Sequence, residues 1–241
     1  VYITYKRYSD AVRDSSLKAE KAESDRAEQA EQHIGELEHY IQQLEVSSNA
    51  LRESHEKLHH TVYHDSLTGL PNRNFVVDSI NELLQKRKQS KQDFAVLFLD
   101  LNRFKTITDS LGYSIGDELI RTVANRLKSS GTDCKVGRFG GDEFAVVMPR
   151  ISVVGDAIAL ANWINAQVAQ PYELLGREVF ASASLGIAVS DDRYRDAEEI
   201  LRDADIAMYN AKESGKSSIV FDQIMHARAV SLLELETDLR L

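Results

Sequence analysis

Arg138-Phe139-Gly140-Gly141-Asp142-Glu143-Phe144 sets two glycines and two adjacent carboxylates between apolar segments. Glycine lacks a Cβ, so the chain can turn sharply there and a ligand can approach the backbone closely. Lys135 to Phe139 and Phe144 to Met148 read as two strands joined at Gly140-Gly141. Upstream, Phe94 to Leu99 is a continuous apolar run ending at Asp100, the pattern of a buried central strand. A charge at that end calls for a partner, and strand ends are where α/β proteins place ligands. Asp142 and Glu143 would point to opposite faces of an extended segment, although a tight turn relaxes that rule. Either one beside Asp100 makes a hard-oxygen pair suited to Mg²⁺, with substrate phosphate completing the shell. The cation would also relieve the repulsion between the two carboxylates. The simpler alternatives are a solvated strand-end carboxylate at Asp100 and a plain hairpin at Gly140-Gly141.

Around this centre, strands alternate with helices. Helical patterns cover about Arg73 to Arg87, a stretch to Leu127 that opens after Gly116 and Asp117, Asp156 to Ala169, and Ala197 to Ser214 closed by Gly215. Glu178 to Ser190 reads as one strand through Phe180 and Ile187, and Ser217 to Phe221 as a short last strand. The fold class expected is α/β, or α+β, with a hairpin at the centre of a mixed or antiparallel sheet. The turn-rich stretch Asp65 to Arg73 separates this domain, residues 65–222, from what precedes it.

The preceding segment, residues 15–64, is polar, free of proline, and has Gly35 as its one glycine. Leu37, Leu44, Leu51 and Leu58 take one seam of a heptad; Ile34, Ile41, Ser48, His55 and Val62 take the other. Ile beside Leu in those roles suits a parallel two-stranded coiled coil. A helix lying on its own domain is the alternative, but so long a polar helix has little else to stabilise it. Residues 1–14 read as the end of an upstream segment. Residues 223–241 return to a helical pattern through Leu232, Leu233, Leu235 and Leu239, as expected of a connection to a further domain.

The 241 residues carry a formal net charge of −9, which argues against a nucleic-acid backbone as the main partner. The single cysteine, Cys134, excludes an internal disulfide and a multi-cysteine metal site, and reads as a small buried residue. No apolar run is long enough to span a bilayer, so no membrane contact is expected within residues 1–241. Lys105, Lys212 and Lys216 are candidate phosphate contacts, the last two sharing a helix face; each is also ordinary capping charge. Asp117 is either a helix N-terminal charge or an acceptor for the ring N–H and exocyclic amine of guanine. Arg138 is a salt bridge or a phosphate contact, and the sequence leaves both open.

From Asp65 to Phe221 the chain resembles the GGDEF family, the diguanylate cyclases. The resemblance rests on motifs occurring in order: Asp-Ser-Leu-Thr-Gly-Leu-Pro-Asn-Arg at 65–73, Phe-Leu-Asp-Leu-Asn-Arg-Phe-Lys at 98–105, Leu-Gly-Tyr-Ser-Ile-Gly-Asp at 111–117, Arg-Phe-Gly-Gly-Asp-Glu-Phe at 138–144, and Ala-Asp-Ile-Ala-Met-Tyr-Asn-Ala-Lys-Glu-Ser-Gly-Lys at 204–216. It implies a nucleotidyl-cyclase or palm-like five-stranded mixed sheet. It implies condensation of two GTP, one per protomer, to cyclic di-GMP and two pyrophosphates in a cytoplasmic, bacterial setting. Metal ligands for Mg²⁺ or Mn²⁺ then fall at Asp100, Asp142, Glu143 and the Leu101 carbonyl, with Asp142, Glu143 and Asp100 carrying the chemistry. Phosphates fall to the backbone near Arg103 and Phe104 and to Lys105, Lys212 and Lys216; guanine falls to Asp117 and position 108; Gly140 and Gly141 leave room for the nucleotide. The resemblance also implies a homodimer through the N-terminal coiled coil, and the stretch after Phe221 resembles the linker to an EAL phosphodiesterase domain. A membrane anchor for the full-length protein is expected, if anywhere, in a segment upstream of residue 1. Four departures stand out. Thr108 replaces the family's guanine-contacting Asn, Asn102 a common Asp, and Tyr113 a common His. Gly131 and Cys134 stand where a product-inhibition motif would have Arg and Asp.

Overall fold

The computed structural model describes residues 2–129 and 133–225. The chain divides into two compact units, 1–58 and 59–241. A single helix, α1 (Tyr2–Tyr63), makes up the first unit and runs into the second. Its predicted seam side chains Ile34, Leu37, Ile41, Leu44 and Leu51 are 55–72% exposed in the single chain. An apolar stripe of that length, left in water, stabilises nothing by itself and needs a covering surface.

Within the second unit, helix geometry stops at Tyr63. There His64 bridges to Pro71, and the Asn72 N–H donates to the Tyr63 carbonyl. The remaining elements are α2 (Arg73–Ser90), β1 (Ala95–Leu101), α3 (Phe104–Leu111), α4 (Tyr113–Lys128), β2 (Lys135–Gly140), β3 (Glu143–Met148), α5 (Val154–Val168), β4 (Tyr172–Leu174), β5 (Arg177–Val179), β6 (Ala183–Val189), α6 (Ala197–Ser214) and β7 (Ser218–Val220). Five strands form one mixed sheet in the order β2-β3-β1-β6-β7, antiparallel except for the parallel β6–β7 pair.

The alternation along β1 divides the core. Ala95, Leu97, Leu99 and Leu101 pack with Leu119, Ile120, Ala161 and Ile164 of α4 and α5. Val96 and Phe98 pack on the other face with Ile80, Ala204 and Met208 of α2 and α6. Both faces are covered, which is why this strand reads as an unbroken apolar run. Gly186 of β6 lets α6 press onto the sheet: a Cβ there would sit 1.9 Å from the Ala204 carbonyl oxygen and 2.2 Å from the Met208 nitrogen.

Several expectations are corrected. The β2–β3 hairpin lies at one side of the sheet, with β2 as its edge, and β1 takes the centre. The strand expected over Glu178–Ser190 is two elements. Its first part, β5, pairs with β4 in a separate hairpin closed by Leu175 and Gly176, both at positive φ (50° and 78°). That backbone is the tight hairpin turn that favours Asn or Gly at both positions, so a leucine at the first disguised it. The short α3 was not anticipated, and α4 starts at Tyr113, so Asp117 lies within the helix and not before it. Cys134 is half-buried. Gly131 and the expected helix beyond Met225 lie outside the described residues.

Candidate active site

Alternation along β1 places Asp100 on the same face as Val96 and Phe98, beneath α6. In β3, Ala145 and Val147 pack in that same layer, so Glu143 belongs to it too. Asp100 and Glu143 are moreover direct cross-strand partners in the β1–β3 register. Register therefore decides between the adjacent carboxylates: Glu143 is the one set beside Asp100 on a strand. Asp142 occupies the turn, where its carbonyl accepts from the Leu101 N–H at 3.3 Å. The turn bends through Gly140 (φ 144°) and Gly141 (φ 50°), conformations that side-chain-bearing residues adopt at a cost.

Burial pushes the Asp142 carboxyl above its usual range, and the Asp100 carboxylate adds to the push. Glu143 is raised as well, first by burial, then by Asp205, Asp100 and Asp142. Asp205 of α6 is raised by desolvation and by Asp100, although the residue as a whole is exposed. Four acidic groups thus act on one another at the end of β1 and β3. Sequence reading passed over Asp205, because α6 carries several acids and nothing local distinguishes this one; its place two turns before Lys212 was the available signal.

Lys212 supplies positive charge to this cluster. Its Nζ donates to Asp100 Oδ1 at 2.5 Å, with the Asp100 side chain 13% exposed. Lys212 and Lys216 both line an open cleft of about 780 Å³ whose other walls include Arg103, Thr106, Phe180 and Ser184. The α6 terminus is fixed by Gly215 at φ 67°, with the Lys216 N–H donating to the Ala211 carbonyl at 2.9 Å and the Gly215 N–H to that of Lys212 at 3.4 Å. Asn102 is tied instead to Ser182 and Ser184 of the β6 side, at 3.1 and 2.9 Å.

Arg138 resolves as a structural bridge. Its Nη1 donates to both oxygens of Asp65 at 3.0 and 2.9 Å, and its Nε and Nη2 donate to the Gly141 carbonyl at 3.2 and 2.7 Å. Asp65 also accepts from the Thr68 N–H and hydroxyl. The residues just after α1 are thereby connected to the glycine turn.

The predicted guanine end is assembled on α3 and α4, and α3 also walls the cleft. Gly116 packs against Thr108 Cγ2 and Phe104, which brings Asp117 of α4 close to α3. Lys105 and Asp117 are exposed, and Thr108 is buried with its hydroxyl donating to the Lys105 carbonyl at 2.9 Å. Thus Asp100, Asp142, Glu143 and Lys212 come together, Lys216 shares the cleft with Lys212, and Lys105, Thr108 and Asp117 lie on α3 and α4.

Among the described residues, no three His, Cys, Asp or Glu side chains converge as a ready-made cation cage. The donor set still fits Mg²⁺, which usually takes one or two carboxylates and completes its shell with water and substrate phosphate. Asp100 and Glu143 are paired by register, and the ammonium of Lys212 already stands in for a cation on Asp100.

A five-stranded mixed sheet with helices on both faces and carboxylates at the β1–β3 end is a nucleotidyl-cyclase-type, palm-like domain. The chain belongs to the GGDEF family: the family described as "Diguanylate cyclase, GGDEF domain" matches residues 62–218. It is 36% identical over 197 residues to the bifunctional diguanylate cyclase/cyclic di-GMP phosphodiesterase MucR of Pseudomonas aeruginosa, covering 81% of this chain and 29% of that protein. It is also 36% identical over 180 residues to the diguanylate cyclase TpbB of Pseudomonas aeruginosa, covering 74% of this chain and 41% of that protein. The chain therefore spans less than half the length of these relatives. The solved GGDEF domain of TpbB superposes with a TM-score of 0.65 at 35% identity, covering 70% of this chain and 99% of that one.

Proposed function

We propose that this chain is a diguanylate cyclase module that condenses two GTP to cyclic di-GMP and two pyrophosphates, working as a homodimer with one GTP per protomer. The observation that carries the reading is the Asp100–Glu143 pairing in register, facing Lys212 beside a lysine-lined cleft. Asp100, Glu143, Asp142 and the Leu101 carbonyl would hold Mg²⁺ or Mn²⁺. When bound, the metal makes the ribose 3′-hydroxyl more acidic and neutralises charge at the α-phosphate. Glu143 or Asp142 takes the hydroxyl proton. Lys105, Lys212 and Lys216, with backbone near Arg103 and Phe104, hold the phosphates and stabilise the leaving pyrophosphate. Asp117 accepts from guanine, and Gly140 and Gly141 leave the nucleotide room.

One protomer holds one GTP, so two must face each other. The exposed stripe Ile34 to Leu51 supports pairing through residues 15–64 as a parallel coiled coil, and the GGDEF domain follows over 65–222. Residues 223–241 then serve as a linker toward an EAL domain, as in a bifunctional arrangement. Among the described residues, no helix is long and apolar enough to cross a membrane.

The test is conversion of GTP by the purified chain with Mg²⁺ or Mn²⁺, with Asp142→Ala as control. Absence of cyclic di-GMP in a sample that is measurably dimeric overturns the reading. A second reading is a weakly active or inactive module that binds GTP and regulates a linked phosphodiesterase. The Thr108 hydroxyl favours it, because its one proton is given to the Lys105 carbonyl and is not available to donate to a base. Calorimetry with GTP rejects this version if no binding is found.

A further inference from the structure

Lys212 serves two sites at once. It lines the cleft that also holds Lys216 and Arg103, while its ammonium rests on Asp100. Asp100 is nearly buried and has Glu143 directly across the strand pair, so an uncompensated charge there would be costly. The lysine is far less buried, with its side chain 42% exposed. A long, flexible, half-exposed side chain can leave such a pair readily, whereas Asp100, held in the central strand, cannot follow it. The backbone of Lys212 stays fixed meanwhile by the Gly215 cap.

We infer that Lys212 is an exchangeable counter-ion: it neutralises Asp100 in the free protein and gives up that position to a divalent cation, turning to the phosphates in the adjoining cleft. This rests on the proposed cyclase reading and goes beyond it. Lys212 competes with the metal when no nucleotide is present and cooperates with it when a triphosphate gives the ammonium a new partner. The free domain would bind metal weakly, and metal and nucleotide would reinforce each other through this side chain.

The experiment measures Mn²⁺ binding by electron paramagnetic resonance to the full chain and to Lys212→Met, Lys216→Met and Asp100→Asn. Each is titrated without nucleotide and with a non-hydrolysable GTP analogue. Removing the competing charge-assisted contact should tighten Mn²⁺ binding without nucleotide by roughly tenfold in Lys212→Met. Lys216→Met removes the same charge without touching Asp100, and should change it by no more than about twofold. With the analogue present, Lys212→Met should bind Mn²⁺ more weakly than wild type. A second readout follows acylation of the Lys212 amine by mass spectrometry, which should speed up on adding Mn²⁺ alone and slow again with the analogue. Without nucleotide, equal or weaker Mn²⁺ binding by Lys212→Met, or equal tightening by both lysine variants, overturns the exchange. If Asp100→Asn leaves Mn²⁺ binding with the analogue unchanged, the metal site itself is wrong, and the proposed function fails with the inference.

Discussion

Arg138→Ala removes the bridge between the residues following α1 and the glycine turn. The guanidinium makes two contacts to Asp65 and two to the Gly141 carbonyl, and the pair is largely buried, at 11% and 19% side-chain exposure. Breaking a fully buried pair costs about 3–5 kcal/mol, because a charge is left alone. Asp65 would not be left alone here, since the Thr68 N–H at 2.9 Å and hydroxyl at 2.6 Å remain. The expected loss is therefore about 2–3 kcal/mol, in the range for charge-assisted hydrogen bonds. Urea unfolding at neutral pH reads it directly. Arg138→Lys, which cannot span both partners, should fall between. The pH dependence gives an independent check. Burial pushes the Asp65 carboxyl up, but the donors from Thr68 and Arg138 outweigh it and hold it below its ordinary value of 3.8. A depressed folded-state value means stability that is present above the unfolded value and lost as pH falls through the folded one. Wild type should thus lose stability more steeply than Asp65→Asn as the pH falls from the unfolded value through the lower folded one. A cost under about 0.5 kcal/mol for Arg138→Ala, or additive effects with Asp65→Asn, would refute the reasoning.

Gly186→Ala drives a methyl into the backbone of α6, so a loss of at least about 3 kcal/mol, or failure to fold, is expected in thermal melts. Thr108→Asn should lower the KM for GTP, with little change in stability, if the guanine end is limited by the short side chain; an unchanged KM favours the regulatory reading. Leu37→Glu with Leu44→Glu places charge on the exposed stripe of α1 and should shift the chain toward monomer in sedimentation, with cyclase activity falling in parallel.

What could be read from the sequence follows from how local each signal is. β1 was legible because a strand covered on both faces is apolar at every position. α6 was legible from its apolar spacing and its closing Gly215. Which of Asp142 and Glu143 lies across from Asp100 was not, because alternation within a strand says nothing of the register between strands; the β1–β3 register puts Glu143 there. The placement of the hairpin failed for the same reason: Gly140-Gly141 announces a turn but not which strand lies beside it. Leu175 hid the β4–β5 turn, and the eight residues of α3 are too few to show a helical period. Arg138 stayed ambiguous until Asp65, far away in the chain, was seen against it.

The most direct test of the central claim is the product formed from GTP and Mg²⁺ by the purified chain, beside Asp100→Asn and Glu143→Gln. Cyclic di-GMP and pyrophosphate in wild type, reduced at least about a hundredfold in both variants while GTP-independent stability is retained, is the predicted result. Full cyclase activity in either variant, or none in wild type, would contradict it.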